Sequence, residues 1–235
     1  MTPYTKIAMH AACCLALVAP IMAASGQARP MNPMTPGVDD STVQRLIRER
    51  VDSRLTAGIV VGIIDVSGRR VFAYGKRAGP GSAPVDANTV FEIGSITKTF
   101  STALLADMVK RGEVALDDPV ARYLPATLRL RQNGRAITLL DLATQRSGLP
   151  AIPANMRPRD PDDPYADYAA PQFYEYLASF TPPRPPGTKY EYSNVGFGLL
   201  GHALSQRAGT SYEALVAQRI LTPLGMTDTR ITLSP

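Results

Sequence analysis

The sequence predicts an α+β fold, in which a helix-backed antiparallel sheet is followed by an all-helical region. Apolar residues within 43–55 recur at helical spacing behind the candidate caps Asp40 and Ser41. The run 57–66 is β-branched and continuous, as expected for a buried strand. Beyond residue 95 almost every patterned segment is helical. The chain therefore opens with a helix packed on a hairpin and continues as helices.

A turn at Ser67 and Gly68 leads from the first strand into a second one over 70–74. A two-stranded hairpin is not stable alone, so this sheet needs further strands. No later segment supplies them before Pro235. We therefore expect the chain to end before its fold is complete.

Helices in the second region are predicted from the 3.6-residue period and from local cap and stop signals. Prolines concentrate in the stretch 150–187, which we expect to be mostly loop with one helix. The predicted helical segments are 96–112, a shorter one from Thr138 to Gly148 with Asp141 close to a capping box, one after Pro171, 194–208 ending at Gly209, and 211–221 opened by Thr210 and Glu213.

The N-terminal segment has the charged, apolar and small-residue order of a secretory signal peptide. Lys6 precedes the apolar stretch 7–23, and small residues follow it. We assign 1–24 to the signal peptide, 25–38 to a flexible lead-in and 39–235 to one incomplete domain. This organisation predicts a periplasmic or secreted protein with no membrane span left after signal cleavage.

Composition excludes several classes of function. The formal net charge is +5, yet the 25 Lys and Arg residues are scattered rather than gathered on one helix or face. A nucleic-acid partner is therefore not expected. The chain has only two His and two Cys, and both Cys lie inside the signal segment. We predict neither a metal nor a cofactor.

Ser95 and Lys98 lie at the start of the helix predicted over 96–112. Positions i and i+3 share a helix face, so the Lys98 amine can reach back beside the Ser95 hydroxyl. A serine hydroxyl becomes a good nucleophile when a neighbouring base takes its proton, and a partly desolvated lysine can help to do so. The alternative is a serine cap followed by a solvated lysine, because this spacing also arises by chance.

Tyr192 and Asn194 form a second candidate pair, between a loop and a predicted helix. A tyrosine near a lysine can be partly ionised and act as a general base, because positive charge lowers its pKa. Asn194 offers both a donor and an acceptor for a peptide-like amide. The alternative is an aromatic core residue followed by an Asn cap.

Two further features in the helix 194–208 are typical of other classes of enzyme, but the sequence elements that accompany them in those classes are missing. Gly196, Gly198 and Gly201 fit the G-x-G-x-x-G dinucleotide pattern, yet no β-branched strand precedes them. Close helix packing explains these glycines better. His202, the one histidine left after export, has no G-x-S-x-G elbow, so a Ser-His-Asp hydrolase is poorly supported.

The chain has S-x-x-K at Ser95 followed by Y-x-N at Tyr192. This order of motifs, together with the sequence around both, resembles that of the serine penicillin-recognising enzymes. That family comprises class C β-lactamases and related DD-peptidases and esterases. The resemblance covers nearly everything after residue 40 and implies a β-lactamase/transpeptidase-like fold, here lacking its C-terminal strands. The similar segments are FEIGSITKTF, LDDPVARYLP, ITLLDLATQRSGLP, PPGTKYEYSNVGFGLLG and ILTPLGMTDTR.

Membership of this family implies a role for each candidate residue. Ser95 is the acylated nucleophile, Lys98 its proton partner and Tyr192 the general base, while Asn194 holds the substrate amide. The implied partners are peptidoglycan stem peptides and β-lactams. Our leading hypothesis is a DD-carboxypeptidase/endopeptidase. The alternatives are a class C-like β-lactamase, a carboxylesterase, or a non-catalytic penicillin-binding remnant.

Three departures from the class C pattern bear on this choice. Ala151 and Ile152 follow the Gly-Leu-Pro, where class C β-lactamases place a Gln. The segment RPRDPDDPYADY looks more like the D-alanyl-D-alanine carboxypeptidase/endopeptidases. The third family motif, [KH]-[ST]-G, is absent, and it lies on the strand that carries one oxyanion donor. We therefore expect the chain as given to be a poor catalyst.

Overall fold

The computed structural model, which describes residues 38–78 and 81–233, begins with the predicted helix and hairpin. The chain divides into two compact units, one ending at Thr89 and the other starting at Val90. The predicted signal peptide 1–24 and lead-in up to residue 37 lie outside the described residues. Helices and a small antiparallel sheet together confirm the α+β class.

Helix α1 (Asp40–Asp52) begins one residue earlier than the predicted caps allow. The N-cap is Asp39, whose carboxylate accepts the Thr42 N–H at 2.9 Å. The prediction of Asp40 and Ser41 as caps is therefore wrong. Asp39 has the extended backbone of an N-cap, whereas the two residues after it are already helical.

Strands β1 (Gly58–Asp65) and β2 (Gly68–Gly75) form an antiparallel hairpin whose last pair is Asp65 with Gly68. The two turn residues are thus Val66 and Ser67, one position before the predicted turn. Gly68 follows with a φ of 106°, a value that favours glycine. The prediction of a buried first strand is also wrong, since Ile64 is 83% exposed.

The hairpin unit has a small core on one face of its sheet. Val43 and Ile47 of α1 pack with Phe72 of β2, and all three are buried. Only one side of the hairpin is covered in this way, so alternate side chains stay in contact with solvent. Among the described residues the sheet has two strands.

The second unit is built of helices and short helical turns. None of its described helices is both long and apolar enough to cross a membrane. The elements are a 3₁₀ turn (Gly94–Ile96), α2 (Thr97–Lys110), a second 3₁₀ turn (Val120–Tyr123), α3 (Leu139–Ala143), α4 (Ala170–Ser179), α5 (Asn194–Ala208), α6 (Tyr212–Val216) and a π-helical turn (Ala217–Leu221).

Helix α5 is the centre of the larger core and packs against α2, α3 and α6. Its Leu199, Leu200 and Leu204 are completely buried. Each such side chain contributes about 1.5–3 kcal/mol on leaving water. Since α5 begins at Asn194, this well-packed helix also fixes the position of a candidate site residue.

The observed helix boundaries confirm some of the predicted helix caps and contradict others. The capping box of Thr138 and Asp141 is confirmed, and so is the end of α5 at Gly209, with a φ of 68°. The capping box predicted for Thr210 and Glu213 is wrong, because Ser211 caps α6. Glu213 instead accepts the N–H groups of the later residues 231 and 232, at 3.0 and 2.7 Å.

Candidate active site

Ser95 lies in the 3₁₀ turn that leads directly into α2. Gly94 before it has a φ of 49°, which favours glycine and turns the chain into the helix. Lys98 stands in the first turn of α2 and donates a hydrogen bond from Nζ to Ser95 Oγ at 3.0 Å. The i, i+3 spacing thus places the amine beside the hydroxyl, as the helix geometry predicts.

Tyr192 approaches the same hydroxyl from a segment far along the chain. Its phenol is hydrogen-bonded to Ser95 Oγ, and the Lys98 ammonium lies 4.7 Å from the centre of its ring. Burial acts to raise the pKa of Tyr192, but hydrogen bonds with Lys98 and Ser95 and the Lys98 charge outweigh burial and lower it. A phenol with a lowered pKa is a better proton acceptor at neutral pH.

Asn194, the first residue of α5, completes the cluster. Its Oδ1 accepts a hydrogen bond from Lys98 Nζ at 2.8 Å. Lys98 therefore touches Ser95, Tyr192 and Asn194, and the Phe197 ring centre lies 5.6 Å away. The structure brings all four candidate residues together, although they come from two segments about 100 positions apart in the sequence.

Ser193 explains why its two neighbours face the cluster together. Its backbone is extended, so Tyr192 and Asn194 point to one side of the chain and Ser193 to the other. The Ser193 side chain is completely buried and caps α5 by accepting the Gly196 N–H at 2.7 Å. It also donates to the Pro150 carbonyl at 2.7 Å. This single buried serine thus sets the start of α5 and the direction of both site residues.

Gln145, which no sequence pattern singled out, holds the backbone on both sides of Tyr192. Its main-chain carbonyl accepts the Glu191 N–H at 2.7 Å. Its side-chain Oε1 accepts the Ser193 N–H at 2.8 Å. Gln145 is buried and has a φ of 61°, so α3 ends at Ala143 rather than reaching the predicted Gly148. The only sequence signal was its place in ITLLDLATQRSGLP, a segment that resembles the family.

Asp141 anchors α3, the helix just before Gln145. Its carboxylate binds Arg135 through two hydrogen bonds of 2.6 and 2.7 Å and also accepts the Thr138 N–H at 2.9 Å. Burial acts to raise the pKa of Asp141, but the hydrogen bonds from Arg135 and Thr138 lower it overall. The charged carboxylate is therefore the form that stabilises this end of the site.

The cluster has several of the groups that acyl transfer uses: a hydroxyl nucleophile, a phenol and an amine able to exchange its proton, and an amide beside them. In the described part of the chain no group of three His, Cys, Asp or Glu side chains is placed to hold a metal ion. His202 is hydrogen-bonded to Tyr174 at 2.5 Å and does not touch Ser95. Gly201 packs against the Tyr212 ring, as expected for a close helix contact.

Sequence comparisons with known proteins identify the family of this chain. The sequence profile named Beta-lactamase matches residues 43–235. A β-lactamase of Pseudomonas fluorescens is 34% identical over 83% of this chain and 51% of its own length. The D-alanyl-D-alanine-carboxypeptidase/endopeptidase AmpH of Escherichia coli K12 is 32% identical over 76% of this chain and 46% of its own length.

Solved structures agree with the sequence relatives. A β-lactamase/D-alanine carboxypeptidase from Yersinia pestis superposes with a TM-score of 0.71 at 25% identity, over 83% of this chain and 57% of that one. A class C β-lactamase bound to cefoxitin gives a TM-score of 0.70 at 30% identity, over 83% of this chain and 51% of its own. The chain spans about half the length of the curated relatives it matches. On this evidence the chain belongs to the β-lactamase family.

Proposed function

We propose that the protein is a serine acyl-transfer hydrolase that acts on peptides ending in D-Ala-D-Ala and is acylated by penicillins. The observation that carries this proposal is the double contact on one hydroxyl. Both Tyr192 Oη and Lys98 Nζ are hydrogen-bonded to Ser95 Oγ. A serine used only as a helix cap would not need two proton-exchanging groups on its side chain.

The proposed acylation step moves one proton and exchanges one bond. Tyr192 Oη accepts the Ser95 proton as Ser95 Oγ bonds to the carbonyl carbon of the penultimate D-Ala. The tetrahedral intermediate then collapses, the C–N bond breaks, and Tyr192 passes its proton to the leaving D-Ala amine. Water attacks the resulting ester, Tyr192 accepts a proton from it, and Ser95 Oγ leaves with that proton.

Lys98 and Asn194 have supporting roles in this proposal. The ammonium of Lys98 favours the ionised phenol, because an opposite charge nearby stabilises a phenolate. Asn194 Oδ1 accepts the hydrogen bond from Lys98, which leaves the Nδ2 donor of the same amide for a substrate. An Nδ2 donor suits the carbonyl of the amide on the acyl side of the scissile bond.

The substrate class is proposed from the relatives. AmpH is named a D-alanyl-D-alanine-carboxypeptidase/endopeptidase, and the Pseudomonas relative a β-lactamase. The segment RPRDPDDPYADY favours the first of these. A class C-like β-lactamase or a carboxylesterase is the second candidate, and a non-catalytic penicillin-binding remnant is the third. A peptidoglycan substrate and the signal-like segment 1–24 both support a periplasmic or secreted location. In this proposal the hydrolase domain lies within residues 39–235.

Three substrates assayed side by side test the proposal: a peptide ending in D-Ala-D-Ala, a chromogenic cephalosporin and an aryl ester. We expect release of D-Ala to exceed cephalosporin and ester hydrolysis, and all three to vanish in Ser95→Ala. Hydrolysis of the cephalosporin or the ester without D-Ala release would favour the second candidate. One acyl group per chain without turnover would favour the third. D-Ala release that survives in Ser95→Ala would contradict the assignment of Ser95.

A further inference from the structure

Tyr212, the first residue of α6, contacts both helices that carry the candidate cluster. Its hydroxyl is hydrogen-bonded to the Ser101 hydroxyl of α2 at 2.7 Å. Its ring lies against Gly201 of α5, where a Cβ added to the glycine would be 3.1 Å from two ring carbons. Tyr212 takes part in no step of the proposed reaction, yet it joins the two helices on which that reaction depends.

Both contacts of Tyr212 fall on the helix faces that carry site residues. Ser101 follows Lys98 by three positions in α2, and Gly201 follows Asn194 by seven positions in α5. Residues at these spacings share a helix face. Lys98 and Asn194 are themselves joined by a hydrogen bond of 2.8 Å. The same two helix faces are therefore linked twice, once at the cluster and once through Tyr212.

The link between Ser101 and Tyr212 is shielded from water. Ser101 is only 5% exposed, and Tyr212 packs against the larger hydrophobic core. A hydrogen bond in such surroundings is stronger than one in water, and a polar group left unpaired there is costly. The link therefore resists opening and fixes the separation of α2 from α5 at this point.

The turn before α6 holds Tyr212 in this position. Helix α5 ends at Gly209, whose φ of 68° lets the chain turn back towards the core. Ser211 then caps α6 by accepting the Ala214 N–H at 3.2 Å. Leu215, one turn further on, is buried. Tyr212 is thus anchored by the cap before it and by the packing of its own helix.

The phenol of Tyr212 is suited to hold a hydrogen bond rather than to accept a proton. Burial raises the pKa of Tyr212, although the hydrogen bond with Ser101 acts to lower it. The group is therefore neutral at pH 7. The pKa of Tyr192 is shifted in the opposite direction, so the two tyrosines do not share a role.

A movement of α2 relative to α5 would take Lys98 away from Asn194 and Tyr192, because Lys98 stands on α2 and the other two belong to the segment that opens α5. A misplacement of about 1 Å can cost about 10²-fold in rate. We propose that Tyr212 is a positioning residue: by fixing α2 against α5 it keeps Lys98 in contact with both halves of the cluster. The inference rests on the proposed function for its effect on rate, but not for its effect on Lys98.

Tyr212→Phe and Ser101→Ala each remove one side of the link. The phenylalanine ring still fits against Gly201, and alanine has a high helix propensity, so both link variants are expected to fold. A third variant combines the two changes. Tyr176→Phe is the matched control, because Tyr176 is a buried tyrosine of α4 whose ring stacks on Phe180, with ring centres 5.4 Å apart.

The first measurement follows ionisation of Tyr192 without any substrate, by NMR of ring-labelled tyrosine between pH 7 and pH 11. Burial acts to raise the pKa of Tyr192, but its contacts with Lys98 and Ser95 lower it overall, so loosening Lys98 should raise it. We expect the midpoint to rise by at least about 0.5 on the pH scale in both link variants and to stay unchanged in Tyr176→Phe. A loss of thermal stability alone would not move this midpoint. An unchanged midpoint in both link variants would overturn the inference.

The second measurement is the rate of acylation by benzylpenicillin. We expect the maximum rate to fall about tenfold in either link variant, while the concentration that gives half of it stays within about twofold. The combined variant should be no slower than the slower single variant, because both changes remove the same link. Effects that multiply in the combined variant would overturn the inference, since they would show two independent roles.

Together the two measurements separate this inference from the proposed function. A raised Tyr192 midpoint in both link variants, with no acylation of the unaltered protein, would end the proposed function and leave Tyr212 as the residue that positions Lys98. Acylation of the unaltered protein that stays within about twofold in both link variants would support the proposed function and overturn the role of Tyr212.

Discussion

The hairpin unit and the helical unit differ in how fully they cover their apolar side chains. In the helical unit Leu199, Leu200 and Leu204 of α5 are completely buried. In the hairpin unit Ile64 and Val66 are 83% and 86% exposed. The helical unit is therefore held mainly by packing, whereas the hairpin unit depends on one covered face and on strand pairing.

This difference matters because the whole candidate cluster lies in the helical unit. Ser95 and Lys98 stand where α2 begins, and Asn194 where α5 begins. Both helices run from the cluster into the same core. Packing that keeps these helices in place also keeps the candidate side chains within hydrogen-bond distance of one another.

Tyr192→Phe separates chemistry from packing in the helical unit and has the largest expected effect. It removes only the hydroxyl, so we expect acylation by a penicillin to slow about 10²–10⁴-fold. The free energy of unfolding should change by no more than about 0.5 kcal/mol, because the side chain is 41% exposed. Tyr190→Phe is the matched control at an exposed neighbour. An acylation rate within a few-fold of the unaltered protein would make Tyr192 a packing residue.

Leu199→Ala and Ile64→Ala compare the two units directly. Loss of the buried leucine should lower the free energy of unfolding by about 2–5 kcal/mol, since a cavity is left in the core. Loss of the exposed isoleucine should cost no more than about 0.5 kcal/mol. Urea denaturation followed by circular dichroism measures both. A large cost at Ile64 would show that this face of the hairpin is covered in solution.

Gln145→Met tests whether positioning of Tyr192 depends on the buried side-chain amide. Methionine keeps the length but cannot accept the Ser193 N–H, so about 1–3 kcal/mol of stability should be lost. We expect kcat to fall about 10- to 100-fold with KM nearly unchanged, because Tyr192 loses alignment and not substrate contact. Loss of stability with normal kcat would make Gln145 a purely structural residue.

Asp141 makes the stability of the helical unit depend on pH, with a loss of stability at low pH. Its pKa is lowered in the folded protein, so its contribution is fully present above the unfolded value of about 3.9 and is lost as the pH falls through the folded value. Unfolding curves between pH 5 and pH 2 should therefore be less pH-dependent in Asp141→Asn. Asp163→Asn, at an exposed carboxylate, is the control. The same pH dependence in both variants would contradict this account of Asp141.

Local signals predicted much of the helical unit. The spacing of Ser95 and Lys98, the capping box at Thr138 and both ends of α5 depend on neighbours within one helical turn, which a sequence displays directly. The N-cap of α1 was missed because Asp39 and Asp40 are both carboxylates with cap preference. Their backbone conformations distinguish them, and residue type does not.

Contacts distant in sequence could not be predicted in this way. Gln145 and Ser193 are 48 positions apart, and their hydrogen bond needs a positive φ at a residue that is not glycine. The glycines of α5 show the same difficulty. A Cβ built on Gly196 or Gly201 would lie 3.1 Å from a neighbouring side chain, as close packing predicts, whereas one on Gly198 meets no atom within 4 Å. Each of these features arises where two segments meet, and residue patterns report on one segment at a time.

The central claim is that Ser95 is the nucleophile, and covalent labelling tests it most directly. The protein is incubated with benzylpenicillin, and its intact mass is measured by mass spectrometry. Peptide mapping of a digest then locates the modified residue. We predict one added penicillin per chain, on the peptide that carries Ser95, and no addition in Ser95→Ala. A label that persists in Ser95→Ala, or one that maps to another residue, would contradict the account.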